Sequence, residues 1–370
     1  MADVRVERLA AVLVDYSIAV QPGDLVVVDG SLRASSLLRS LHRRILEAQG
    51  LPYMRIGIDG TAETLLSKGT DAQLEWVNPS RYEALERCDA TIFVDAPGNT
   101  RALAGVDPER QARAGRALGP LRDLAMSKAA AGKLRWSITV FPTQAAAQDA
   151  EMSLAEYEDF VYGAGRLGED DPVAAWKGFG NTIHGLRDWL ATTPELRIVA
   201  EGTDLRVGVG GRKWIACAGK ENFPDGEIFT GPVETSVAGE ISFTFPAVRG
   251  GRSVEGVRLV FREGEVVEAT ARKGEDYLHE MLAMDDGARR VGEFAFGLNE
   301  SIREFTRSIL FDEKIGGTVH LALGKSYPES GGLNQSALHW DMVCDLRHGS
   351  EVYADGELVY RDGRFLNGLL

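Results

Sequence analysis

The chain has 370 residues, enough for two domains at roughly 150 to 200 residues each. Hydrophobic residues make up 44% and charged residues 26%, which excludes a disordered chain and allows a sizeable core. Fifty-five acidic against 41 basic side chains leave a net charge of −14, the wrong sign for nucleic acid or an anionic membrane surface. Asp3, Arg5, Glu7, Arg8 and Asp15 interrupt the opening segment where a signal peptide needs an unbroken apolar stretch, so a cytoplasmic protein is expected. No uncharged apolar run approaches the roughly 20 residues that span a bilayer. Cys88, Cys217 and Cys344 form no CxxC and are odd in number, which points to buried thiols rather than a disulfide framework or a thiolate metal site.

In chain order, DLVVVDG from Asp24 to Gly30 reads as a buried strand. Ser35 or Ser36 is placed to cap a helix with Leu37, Leu38, Leu41 and Ile45 on one side. Strand patterns follow from Leu51, Ala90 and Leu134, separated by helical stretches, so residues 1–190 are expected to form an α/β domain with a largely parallel sheet. Ser153 and Glu156 form an S-x-x-E capping box ahead of Leu154, Tyr157, Phe160 and Val161, and a second helical segment ends at Leu190. From Leu196 the chain turns to short strands with glycine punctuation, and Gly210–Gly211 and Glu263–Gly264 read as hairpin turns. Residues 191–370 are therefore expected to form an α+β, mainly antiparallel domain that carries the chemistry.

Several familiar motifs fail. The GKS at Gly324 to Ser326 lacks the leading glycine of a phosphate loop, since Val319 stands there. His279-Glu280 begins an HExxH zinc motif, but Ala283 replaces its second histidine, and no GxSxG nucleophile elbow occurs. In GGTVHLALGKSY, strand alternation sends His320 away from the face of Val319, Leu321 and Leu323. In SALHWDMV it puts His339 and Asp341 opposite Leu338, Trp340 and Met342. A single histidine of this kind is ordinarily a hydrogen-bonded structural group. Two strands close in sequence that both present imidazole, one with a carboxylate beside it, favour a divalent metal site. Glu227, after the turn Pro224-Asp225-Gly226, and Glu293, in VGEFAFGLNE, are further candidate ligands, although each alone reads as a surface charge.

The segments NFPDGEIFTGP, SVEGVRLVF, VGEFAFGLNES, ILFDEKIGGTVHLALGKSYPESGG and SALHWDMV together resemble the M29 family of metallopeptidases, the thermophilic aminopeptidase T group. MSLAEYEDFVYGAG in the N-terminal half extends the likeness to essentially the whole chain. The resemblance implies two divalent metal ions (Zn, Co, Mn or Mg) with Glu227, Glu293, His320, Tyr327, His339 and Asp341 as ligands. Glu227, Glu293 and Tyr327 are the residues expected to bear on catalysis. The stretch between Tyr327 and His339 is short for the family, which bears on the site entrance and substrate preference. Three carboxylates against two divalent cations leave the first shell near neutrality once a bridging hydroxide is added. Such a pair would activate a hydroxide and polarise a carbonyl without a Ser or Cys nucleophile.

The resemblance further implies removal of N-terminal, preferentially apolar, residues from peptides with a free amino group, by a homodimer. Glu313 is a candidate acid/base or amine-holding residue, with a surface ion pair as its ordinary reading. The main alternative is a mononuclear Fe(II) dioxygenase that opens dihydroxypyridine rings through His320, His339 and Asp341. Such a site has no need of Glu227 and Glu293. A non-catalytic peptide-binding protein on the same scaffold would be expected to have lost ligands, and all six residue types are present.

Overall fold

The computed structural model describes residues 3–249, 251–366 and 368. Two compact units are present. One contains the chain up to Trp176 together with Gly219–Pro224; the other contains Lys177–Ala218 and the chain from Asp225 onward.

The first unit is built on a five-stranded parallel sheet in the order Leu51–Gly57, Leu25–Ser31, Ala90–Asp95, Arg135–Val140, Asn222–Phe223. Val26, Val27 and Val28 are all buried, as a strand covered on both faces requires. Helix Ser35–Glu47 buries Leu37, Leu38, Leu41 and Ile45, the side expected from their spacing. Neither Ser35 nor Ser36 caps it, contrary to expectation. A 3-10 turn, Leu32–Ala34, capped by Ser31, runs straight into the helix, and its carbonyls take over the work of a cap. The Ser153 capping box forms as expected at helix Leu154–Ala164.

The second unit combines two large antiparallel sheets with a two-stranded one, Ala247–Arg249 paired with Arg252–Val254. The larger has eight strands in the order Glu265–Thr270, Arg258–Arg262, Ala238–Ser242, Thr203–Gly208, Glu195–Ala200, Glu351–Ala354, Glu357–Arg361, Arg364–Phe365. The Glu263–Gly264 turn is a hairpin, with both residues at positive φ (50° and 78°), the pairing that matches the twist of its strands. Gly210–Gly211 is not a hairpin turn. The strands on either side of it, Thr203–Gly208 and Ile215–Cys217, belong to different sheets, so the turn passes the chain from one sheet to the other. The smaller sheet, of five strands, carries the candidate site. The fold class is therefore α/β with a parallel sheet followed by a mainly antiparallel α+β part.

Candidate metal centre

The site sheet runs His339–Asp345, Thr318–Gly324, Val291–Gly297, Glu227–Thr230, Ile215–Cys217, each strand antiparallel to the next. Residues directly opposite each other in such a ladder share a face. Ala322 lies opposite Asp341 on one side and Glu293 on the other; Ala295 lies opposite His320 and Phe229; Glu227 lies opposite Gly297 and Cys217. His320, His339, Asp341, Glu293 and Glu227 therefore all stand on one face. Alternation with Ala295 and Gly297 puts Glu293 there, and the register shift between Val291 and Glu293 turns Val291 to the opposite face. Between these groups lie Ala295, Gly297 and Ala322, which project no more than a methyl group into the space. The opposite face is apolar, with Phe294, Phe296, Leu321, Leu323, Trp340 and Met342 buried.

The functional groups converge. His320 Nε2 is 3.3 Å from Glu293 Oε1 and 3.7 Å from Glu227 Oε2, and His339 Nε2 is 3.7 Å from Glu293 Oε2 and 3.5 Å from Asp341 Oδ1. Two groups with ligand atoms mutually within 4.8 Å result, Glu227–Glu293–His320 and Glu293–His339–Asp341, and they share Glu293. No group of this spacing among the described residues contains both histidines. His339 Nδ1 donates to the Lys325 carbonyl at 2.9 Å, which fixes the tautomer with Nε2 free to face the carboxylates. The GKS segment that fails as a phosphate loop thus orients a histidine through its backbone.

Burial raises the Glu227 carboxyl well above its ordinary range, against the pull of the Lys314 ammonium. Burial likewise pushes Asp341 up to about 6, with His339 opposing. For His320 burial disfavours the charged ring, but the hydrogen bond to Glu293 and the charges of Glu227, Glu293 and Asp341 win and raise it to about 9. Burial, followed by the charges of Glu293 and Asp341, raises the Tyr327 phenol, so it stays protonated at neutral pH. The Tyr327 ring packs on Phe229 (centroids 5.5 Å apart) and meets the edge of His339 (5.2 Å), at the more exposed margin of the group.

Sequence reasoning passed over Lys314 and Asp225 and set Glu313 aside as a surface charge. Glu313 instead lies with His320 and Asp341 in a third group within 4.8 Å, and its side chain is only 17% exposed. Lys314 is fully buried among Asp225, Glu227 and Glu313. The DEK triplet ahead of the His320 strand was the available signal, but a charge run reads as solvated until a loop is known to fold inward.

A cation fits these residues. Glu227 Oε2 is buried without a hydrogen-bond partner among the described residues, and burying a carboxylate oxygen in that state is expensive unless a cation or proton satisfies it. Imidazole plus carboxylate is a donor set for Zn, Mn, Co or Fe. A protein named Aminopeptidase 2 from Geobacillus stearothermophilus is 28% identical over 399 residues, covering 97% of this chain and 94% of that one. The structure of wild-type AmpT from Thermus thermophilus matches with a TM-score of 0.85 at 25% identity, over 98% of this chain and 99% of that one. A 2,5-dihydroxypyridine dioxygenase from Pseudomonas putida shares the fold, with a TM-score of 0.59 at 13% identity over 98% and 96% of the two chains. Residues 2–365 match the family described as thermophilic metalloprotease (M29). With that match across the whole described fold, the chain belongs to the M29 family of metallopeptidases.

Proposed function

We propose that this metalloaminopeptidase removes N-terminal residues, preferentially apolar ones, from peptides through a centre of two divalent cations in the unit formed largely by residues 191–370. The observation that carries the reading is Glu293. Its two oxygens face different histidines, so it belongs to two ligand groups at once and could serve an ion in each. Glu227 and His320 complete one group and His339 and Asp341 the other, with the Tyr327 phenol at the open margin as the sixth ligand.

Divalent cations held by these residues would supply Lewis acidity at the scissile carbonyl and a bound water of lowered pKa. The chain's own groups do the rest. Apolar packing behind the sheet holds the ligands in place, and the Lys325 carbonyl aims His339. The Glu313 carboxylate, beside His320 and Asp341, suits the free α-ammonium of a peptide. Water adds to the carbonyl carbon, the C–N bond breaks, and the departing nitrogen takes up a proton as the new N-terminus forms.

The mononuclear dioxygenase reading needs both histidines and one carboxylate around a single ion, whereas each histidine here sits in a different group with Glu293. Metal content measured alongside hydrolysis of leucine p-nitroanilide in chelator-stripped and reconstituted protein decides between them. Two divalent ions per chain with restored hydrolysis are expected; one iron per chain with oxygen-dependent ring cleavage overturns the proposal. N-acetylated peptides should resist cleavage. Homodimer assembly and a cytoplasmic location belong to the same reading; the three free cysteines fit a reducing compartment, and the molar mass in solution tests the assembly.

A further inference from the structure

Lysine is among the residue types least often buried completely, yet the Lys314 side chain has no exposed surface. Its Nζ stands 3.3 Å from Glu227 Oε1 and 3.9 Å from Asp225 Oδ1, and it contacts Glu313 Oε1 directly. Glu227 and Glu313 accept hydrogen bonds from the ammonium, and Asp225 adds a third negative charge at ion-pair distance. Burial works against the charge, but the carboxylates of Glu227, Glu313 and Asp225 hold it protonated.

The lysine is placed by backbone geometry. A Cβ at Gly297 would stand 2.2 Å from the Ile315 carbonyl and 3.1 Å from that of Glu313, so only glycine lets this segment lie against the strand. The Asn299 N–H then donates to the Lys314 carbonyl at 3.1 Å.

Cys217, Asp225 and Glu227 also present ligand atoms within 4.8 Å of one another, the spacing of a cation site, beside the position that the Lys314 ammonium occupies. We propose that Lys314 is a positioning residue that serves as the resident cation of this carboxylate group. It ties down Glu227 Oε1, so that Glu227 offers the centre a single oxygen, and it denies the Cys217–Asp225–Glu227 group to a further metal ion. The inference rests on Glu227 being a metal ligand.

The test uses the full chain, stripped with chelator and titrated with Cd²⁺ under reducing, anaerobic conditions, with bound metal counted after equilibrium dialysis. Lys314→Ser removes the ammonium and opens its volume. One more Cd²⁺ per chain than in the unsubstituted protein is expected, with an ultraviolet cadmium–thiolate band that disappears when Cys217→Ser is added. Lys314→Met fills the volume without charge or donor. It should bind no extra ion, but freeing Glu227 Oε1 should raise the ratio of Ca²⁺ to Zn²⁺ affinity at least tenfold, because Ca²⁺ takes six to eight oxygens and accepts bidentate carboxylates. The charge lost is felt equally by both divalent ions and cancels in the ratio.

A Cys217-dependent band in the unsubstituted protein overturns the proposal, as does an unchanged metal count in Lys314→Ser or an unchanged ratio in Lys314→Met. The first of these leaves Lys314 in place and needs only the Cys217→Ser control. Because counts are compared between chains, the outcome stands apart from whether the unsubstituted centre holds one ion or two.

Discussion

His320 and Leu321 are neighbours in one strand, and both are completely buried, but they face opposite ways into opposite chemistry. Behind the sheet, Trp214 packs against Phe294 and Phe296 at 6.3 and 6.4 Å between ring centroids, and Phe296 continues to Tyr360 and Phe365. In front, carboxylates and imidazoles are crowded within a few ångströms. The apolar face gains roughly 25 cal/mol for each Å² it removes from water, while burying each charge on the other costs several kcal/mol before it is paired. One ladder of hydrogen bonds serves both. Degree of burial therefore says nothing about role here; the difference is that one face stabilises the sheet and the other is held in place at its expense.

Substitutions on the two faces should separate activity from stability. Asp341→Ala or His339→Ala is expected to lower leucine p-nitroanilide hydrolysis roughly 1,000-fold or more with far-UV circular dichroism unchanged. Activity surviving in both variants would show that the front face is not the catalytic one. Phe296→Ala, on the back, is expected to cost about 3–5 kcal/mol in denaturant unfolding while the folded fraction keeps its metal content. Loss of metal without loss of stability would break the division of labour between the faces.

Asp312 sharpens the contrast, as a buried carboxyl with hydrogen bonds but no paired cation among the described residues. It accepts from the Thr306 N–H at 2.7 Å and the Thr306 hydroxyl at 3.0 Å, yet burial pushes it up to about 7. Below about pH 4 the group is protonated in folded and unfolded chains alike. Between there and about 7 the unfolded chain ionises while the folded chain keeps its proton, so stability falls as pH rises, and above 7 the full cost applies. Asp312→Asn, which keeps an accepting oxygen, should flatten that fall by up to about 4 kcal/mol between pH 4 and 8 in unfolding measurements. A slope identical in the variant would remove Asp312 from the account. The smallest effect is expected at the margin of the site, where Tyr327→Phe should lower kcat/KM about tenfold with melting temperature unchanged; an unaltered kcat/KM would confine Tyr327 to packing on Phe229 and His339.

Alternation made the two histidine strands legible, because a period of two needs only the neighbouring residues. The Ser153 capping box was equally local, as was the Glu263–Gly264 hairpin. Ser35 and Ser36 misled because a cap depends on how the preceding turn delivers its carbonyls. Gly210–Gly211 misled because a turn signal does not say whether the strands it joins will pair. For Glu227 and Glu293, residue type was suggestive and resemblance named them. Alternation in EFAFG sets Glu293 opposite Phe294 and Phe296, but the meeting of the two carboxylates depends on pairing between strands distant in sequence.

The sequence by itself determined the family, the alternation of parallel and antiparallel halves, and the faces of His320, His339 and Asp341, since all of these follow from local periodicity or from motif likeness. Only the tertiary structure decided that Glu293 faces both histidines, that Glu313 turns inward, and that Lys314 is buried among three carboxylates. Those outcomes depend on register between strands distant in sequence and on the close approach of a loop to Gly297, quantities that arise only once the backbone is paired and packed.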